Sequence, residues 1–276
     1  MPETYHGDRS LMGRTALVSG SGRGIGRAIA TALADAGARV ALLARNGDQV
    51  ADAVEEIVAR GGAAIGTSCD LLDASAVARA ADEALGAFGR VDILVNNAGN
   101  NIKRPVVPLP VPEGESVGQP GSGAADVAMT DEEWDAILDT HVRASLHLIR
   151  HFAPGMLERH WGRIINISSS AVGRTPNLTT PYKVAKGAMA HLTFSLANEW
   201  AAHGVTVNAI APGHFRTDMS KALHDSPEGQ AWLRERIPMR RAGDVRELGA
   251  LAVHLAGDLS SFLTGQLIYV DGGETL

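Results

Sequence analysis

Short apolar runs alternate with amphipathic stretches from one end of the chain to the other. Residues 15–19, 39–44, 64–68, 92–96, 163–168, 205–210 and 266–270 read as strands buried on both faces. Between them, apolar positions at helical spacing predict helices over 24–36, 48–60, 75–88, 131–160, 181–203 and 244–257. Thr130 with Glu133, and Asp244 with Glu247, have the spacing of capping boxes. Strand and helix alternating in this way predict an α/β fold. The expected architecture is one doubly wound domain over 1–276, with a parallel sheet and helices on both faces.

One segment breaks the rhythm. Residues 101–129 hold four prolines before Glu113, then the glycine-rich Gly118-Gln119-Pro120-Gly121-Ser122-Gly123. The segment follows a strand end, so it starts at the carboxyl edge of the sheet, where open α/β folds bind ligands. Its glycine-rich half reads equally as a surface insertion or as a flap over the cleft. Asn101-Ile102-Lys103-Arg104, next to the strand end, reads as functional.

Composition narrows the class. Apolar residues make up 45% and charged residues 20%, as in an ordinary globular protein. A net charge of −6 argues against nucleic acid or an anionic membrane as the main partner. Cys69 is the only cysteine, so no internal disulfide can form and a reducing compartment is the default. The first eight residues carry no apolar run, and no stretch has the length and apolarity of a membrane span. The expectation is a cytoplasmic protein with a small-molecule substrate and no metal.

The chemistry is carried by two patterns. Gly20-Ser21-Gly22-Arg23-Gly24-Ile25-Gly26 stands between the first strand and the first helix. Glycines there let the backbone approach a pyrophosphate, and the helix start supplies N–H groups and positive dipole. At the end of the second strand an acid would bind the ribose 2′-OH of NAD, but the chain has Ala44 and Arg45. Arg45 and Arg23 suit a 2′-phosphate, so NADP(H) is favoured over NAD(H). Asp70, with Leu71 after the third strand, either accepts from the adenine amino group or caps a helix. The second pattern is Tyr182-Lys183-Val184-Ala185-Lys186, with Ser169 thirteen residues upstream. Tyr182 and Lys186 share one helix face. A phenol beside a permanently charged ammonium is a general acid/base with a lowered pKa. With Ser169 at a neighbouring strand end, the set reads as carbonyl reduction or alcohol oxidation by a nicotinamide cofactor. Pro181 fits the first turn of that helix.

Taken together, these motifs resemble the short-chain dehydrogenase/reductase family over nearly the whole chain. Asn96-Asn97-Ala98-Gly99 is similar to its signature at the end of the fourth strand, Pro212-Gly213 with Thr217 to its nicotinamide-carboxamide stretch, and Val270-Asp271-Gly272-Gly273 to its usual ending. The resemblance implies a Rossmann-like seven-stranded sheet, a homotetramer or homodimer, and a reaction carried by Tyr182. It implies that Ser169 binds the reacting oxygen and that Lys186 lowers the tyrosine pKa and binds the nicotinamide ribose. It departs from the family at His141, where an asparagine normally holds a relay water. An imidazole there can hold that water, or titrate near neutrality and add a pH response. Residues 213–240 should form the substrate loop; their sequence resembles gluconate 5-dehydrogenase-like members, with a 3-oxoacyl reductase as close rival. Asn101, Lys103, Arg104, Arg174 and His214 are candidate contacts to an anionic or hydroxylated substrate. A nucleotide-binding scaffold with little turnover is the alternative of another class.

Overall fold

The first strand, β1 (Thr15–Ser19), is buried along its whole length, and it sits in the middle of the molecule. It pairs in parallel with β2 (Arg39–Ala44) on one side and β4 (Ile93–Asn96) on the other. With β3 (Ala63–Ser68), β5 (Gly162–Ile167), β6 (Val205–Pro212) and β7 (Leu267–Val270), the order is β3-β2-β1-β4-β5-β6-β7, all parallel. This computed structural model describes residues 10–110, 126–174, 178–217 and 220–276.

Alternate strand residues feed two separate cores. Ala16, Val18, Val40, Leu42 and Val95 pack under α1 (Gly24–Asp35), α2 (Gly47–Ala59) and α9 (Val245–Ala256). Leu17, Leu43, Leu94 and Val207 pack on the other face under α3 (Ala74–Phe88), α5 (Ala144–Glu158) and α6 (Thr180–Trp200). Each fully buried leucine on these faces contributes roughly 2 kcal/mol by leaving water. The expected doubly wound seven-stranded sheet is therefore the fold. Both expected capping boxes are formed, at Thr130 and Asp244.

The expected helix over 131–160 is not continuous. It is α4 (Asp131–Leu138), a π-helical turn Asp139–Arg143, then α5. The amide of Ala144 bonds back to Asp139, which fits one extra residue into the turn and brings His141 into the interior. The expected substrate loop contains two helices that the apolar pattern does not announce, α7 (Lys221–Asp225) and α8 (Pro227–Arg236). In the insertion over 101–129, the Met129 amide donates to the Pro105 carbonyl at 2.9 Å and joins the flanks. Its glycine-rich half, and with it the flap reading, lies outside the described residues.

Candidate active site

The sheet order reverses between β1 and β4, so the crossovers on either side leave a crevice at their carboxyl ends. A cleft of about 570 Å³ opens there. The glycine turn forms one wall, with Gly20, Arg23, Gly24, Ile25 and Gly26 on its surface. Gly20 has a φ of +64°, and a Cβ on it would lie 2.8 Å from the Ala98 Cα. A Cβ on Gly26 would lie 2.3 Å from the Gly20 carbonyl oxygen and 2.4 Å from Asn97 Nδ2. That Asn97 amide donates to the carbonyls of Ser19 and Gly20, both at 3.0 Å. The Ser19 hydroxyl in turn accepts from the amides of Asn97 and Ala98. Asn97, Ala98 and Gly99 thus clamp the turn and line the cleft beside it. A backbone cradle with no side chain, at the start of α1, fits a dinucleotide pyrophosphate.

Ser21 does not face this cradle, contrary to expectation. Its hydroxyl donates inward to the Val18 carbonyl at 2.8 Å and its amide bonds to Leu43, so it shapes the turn from beneath. At the far end, Ala44, Arg45 and Asn46 line the cleft with Arg23, and Asp70 and Leu71 close it. The capping role open to Asp70 belongs to Asp73, whose carboxylate accepts from the first amides of α3. Among the described residues, Asp70 accepts from the Leu72 amide, at 3.0 Å. Gln49 and buried Cys69 also line this end, unforeseen in the sequence; burial pushes the Cys69 thiol up to about 11.

Ser169, Tyr182 and Lys186 meet on the opposite wall. Ser169, two residues past the end of β5, has extended backbone; its hydroxyl accepts from Ala171 N at 3.2 Å and acts to lower the Tyr182 pKa. Lys186 lies one turn along α6 from Tyr182. Its ammonium donates to the Ile167 carbonyl at 2.6 Å and sits 5.6 Å from the Tyr182 ring centre. A buried polar chain fixes α6 to the strand ends. The Asn96 amide donates to Asn166 at 2.8 Å, the Asn166 amide to Thr193 at 2.9 Å, and the Thr193 hydroxyl to the Met189 carbonyl. The asparagine within the isoleucine run of β5 was the sequence signal for this chain.

The electrostatics correct one expectation. Burial dominates both groups: it pulls Lys186 down to about 7 and pushes Tyr182 up, with only the Ser169 hydrogen bond acting the other way. Burial thus opposes the lowered tyrosine pKa expected from the sequence.

His141, in the π turn, also lies on the cleft, with its ring edge-to-face on Tyr182 at 5.5 Å. Its Nε2 lies 2.8 Å from the Asn100 carbonyl oxygen and 3.2 Å from the Asn100 amide nitrogen, so the Asn100 peptide holds the ring in either tautomer. Nδ1 is buried without a hydrogen-bond partner among the described residues. Burial, then the Lys186 charge, pull the imidazole down to about 3, so it does not titrate near neutrality.

Pro212, Gly213 and Thr217 line the cleft after β6, together with His214, Phe215 and Ser220. Of the other candidate substrate contacts, Arg104 pairs with Glu133 at 3.0 Å and Arg174 with Glu274 at 2.7 Å. Asn101, Lys103, Arg104 and Arg174 are partly exposed and do not line the cleft, and burial lowers the Lys103 pKa. Glu274, which holds Arg174, was not foreseen. No described helix is long and apolar enough to cross a membrane.

Comparison with known proteins places this geometry. Residues 20–275 match the family described as enoyl-(acyl carrier protein) reductase. The chain is 37% identical to 2-dehydro-3-deoxy-D-gluconate 5-dehydrogenase of Pseudoalteromonas atlantica, covering 96% of each chain. It superposes on a gluconate 5-dehydrogenase from Burkholderia cenocepacia, crystallised with NADP and tartrate, with a TM-score of 0.84 and 34% identity over 97% of this chain and 98% of the other. A 3-oxoacyl (acyl-carrier-protein) reductase from Agrobacterium tumefaciens with NADP bound gives a TM-score of 0.83 and 33% identity over 98% and 97%. With the crevice, the clamped glycine turn and the serine–tyrosine–lysine wall in their places, the chain belongs to the short-chain dehydrogenase/reductase family, oxidoreductases that interconvert alcohols and ketones with NAD(P).

Proposed function

We propose that the chain is an NADP(H)-preferring oxidoreductase acting on a polyhydroxylated substrate, a sugar acid or polyol, with Tyr182 as its general acid/base. The observation that carries the reading is that Ser169, Tyr182 and buried Lys186 come together on the wall of the cleft whose other wall is the glycine turn. The glycine turn would hold the pyrophosphate, Asp70 and Leu71 the adenine side, Lys186 the nicotinamide ribose and Thr217 the carboxamide. A bound nicotinamide supplies or takes up the hydride. In reduction, the Ser169 hydroxyl donates to the substrate oxygen as charge develops there, and Tyr182 delivers its phenolic proton to that oxygen. Lys186 then restores the proton to Tyr182. His141, in place of the usual asparagine, would hold the relay water through its ring.

Arg23 and Arg45, with no acid at the end of β2, support 2′-phosphate recognition. The gluconate 5-dehydrogenase relatives support the sugar-acid class, and the 3-oxoacyl reductases a rival substrate. We also infer a cytoplasmic homo-oligomer, a dimer or tetramer. Val184 and Phe194 on α6, and Phe262 beyond α9, offer exposed apolar surface to a second copy. The test is initial-rate kinetics of the purified protein with NADPH and NADH against polyols, sugar acids and 3-oxoacyl thioesters. Faster turnover of the polyhydroxylated group with NADP(H) is expected. NADPH binding without turnover of any of them would instead favour a nucleotide-binding scaffold.

A further inference from the structure

Three side chains from distant parts of the chain meet behind the substrate end of the cleft. Arg174 comes from the turn after Ser169, His214 from the end of β6, and Glu274 from the closing turn after β7. Glu274 Oε1 lies 2.7 Å from Arg174 Nη2 and 3.1 Å from His214 Nε2. Arg174 Nη2 is 3.0 Å from the same His214 nitrogen. The Glu274 side chain is 2% exposed. Its second oxygen is 3.5 Å from the Ser170 hydroxyl and 3.3 Å from where a Gly213 Cβ would stand. The carboxylate therefore sits directly between the Ser169 turn and the Gly213-His214 segment, both of which line the cleft.

A buried carboxylate is costly unless it is paired; here its charged partner is Arg174, a group that could otherwise attract an anion, and no hydrogen bond to Oε1 forms among the described residues. Nearby charges do not change this balance. Arg236 and Asp271 act on Arg174 with opposite signs. The Asp271 oxygens are taken by the Gly273 and Thr275 amides and the Thr275 hydroxyl. Trp232 covers the other edge of His214, ring to ring at 5.3 Å.

We infer that Glu274 is a specificity-determining residue: it cancels the positive charge behind His214 from within the chain and tilts the substrate side toward uncharged polyhydroxylated molecules over carboxylates. This rests on the proposed oxidoreductase reading and, of the two substrate classes named there, selects the polyol over the sugar acid. Glu274→Gln uncovers the arginine, and Arg174→Gln uncovers the carboxylate, so the two should shift charge preference in opposite directions.

The experiment is calorimetric titration of the NADP⁺-loaded protein with D-gluconate and with its neutral counterpart D-glucitol, which needs no turnover. Wild type should bind D-glucitol more tightly. Glu274→Gln should raise the gluconate-to-glucitol affinity ratio about tenfold, equivalent to about 1.4 kcal/mol. Arg174→Gln should lower that ratio, and the double variant, with neither buried charge, should return it to near wild type. A merely structural role would move both ligands together and could not reverse sign. Should either single variant fail to fold, the double variant and the remaining single still carry the sign test. Ratios within twofold of wild type in all folded variants would overturn the inference. So would failure of both ligands to bind a wild type that holds NADP⁺. Failure of wild type to bind NADP⁺ at all would overturn the parent reading and this one with it.

Discussion

Gly99 and His141 should behave as one unit, and Gly99→Ala measures it. The Gly99 backbone is not left-handed, so alanine meets only a steric obstacle. Its Cβ would lie 2.1 Å from His141 Cε1 and 2.7 Å from Nδ1. Carbon atoms pack at about 3.5 Å, so the ring must retreat by about 1.4 Å. It has little room to do so, being 2% exposed and held between Tyr182 and the Asn100 carbonyl. Overpacking of this kind costs about 1–3 kcal/mol, and stretching the 2.8 Å hydrogen bond adds ~1 kcal/mol. A total of about 2–4 kcal/mol should appear in urea unfolding of the cofactor-free protein. Turnover should fall more than NADPH affinity, because the ring presses on Tyr182 and not on the glycine turn. In a His141→Asn background the shorter side chain leaves room for the methyl group. The two substitutions should then couple by at least ~1 kcal/mol in a double-mutant cycle. If Gly99→Ala costs the same in both backgrounds, His141 does not lie over Gly99 and the reasoning fails.

Tyr182→Phe should reduce turnover ~10²–10⁴-fold with NADPH binding retained, since only the proton donor is removed; stopped-flow hydride transfer with more than about a tenth of the wild-type rate would contradict this. Replacing Arg23 and Arg45 by alanine should raise the KM for NADPH at least ~30-fold and that for NADH less than ~3-fold, because charge-assisted contacts worth ~1.5–3 kcal/mol each exist only with the 2′-phosphate. Equal changes in steady-state kinetics would remove the basis for NADP preference. Lys186 is held at about 7 in the folded chain against an ordinary 10.5, so the unfolded chain binds more protons between those values. Stability of the cofactor-free protein should therefore rise with pH across that window, by up to ~1.4 kcal/mol per unit from this group. Lys186→Met should lack that slope in urea titrations taken at a series of pH values.

The strands were legible because each buried run is apolar where it crosses the sheet, and Gly20, Gly26, Asn97, Ser169, Tyr182 and Lys186 were legible because their spacing repeats a chemical arrangement. What escaped did so for local reasons. The π turn at Asp139–Arg143 adds a residue without interrupting the apolar pattern, since Ile137, Ala144 and Leu148 stay buried on either side of it. In α8 only Gly229 and Leu233 are buried among charged neighbours, too few to set a period. Ser21 looked like a ligand because it stands between glycines, whereas its hydroxyl satisfies a buried carbonyl. Arg174 looked like a substrate contact because its partner, Glu274, is a hundred residues away in sequence, and no spacing announces the pair.

The correction at Lys186 bears on how the site works. A lysine that stayed charged would drive Tyr182 toward phenolate, which is the base needed for oxidation. Burial acts against that: it holds the phenol protonated and leaves the lysine poised near neutrality. A group whose pKa lies near the working pH passes protons in both directions with the smallest penalty. On the proposed reading, Tyr182 would serve as the acid in reduction and Lys186 would be the member of the pair loaded or emptied by the medium. His141 adds to this arrangement. Its conjugate acid lies at about 3, so it adds no charge beside Lys186. On that reading, reduction would draw on the protonated form of Lys186 and oxidation on its neutral form, so the two directions should have opposite pH preferences, measurable as pH–rate profiles run in each direction.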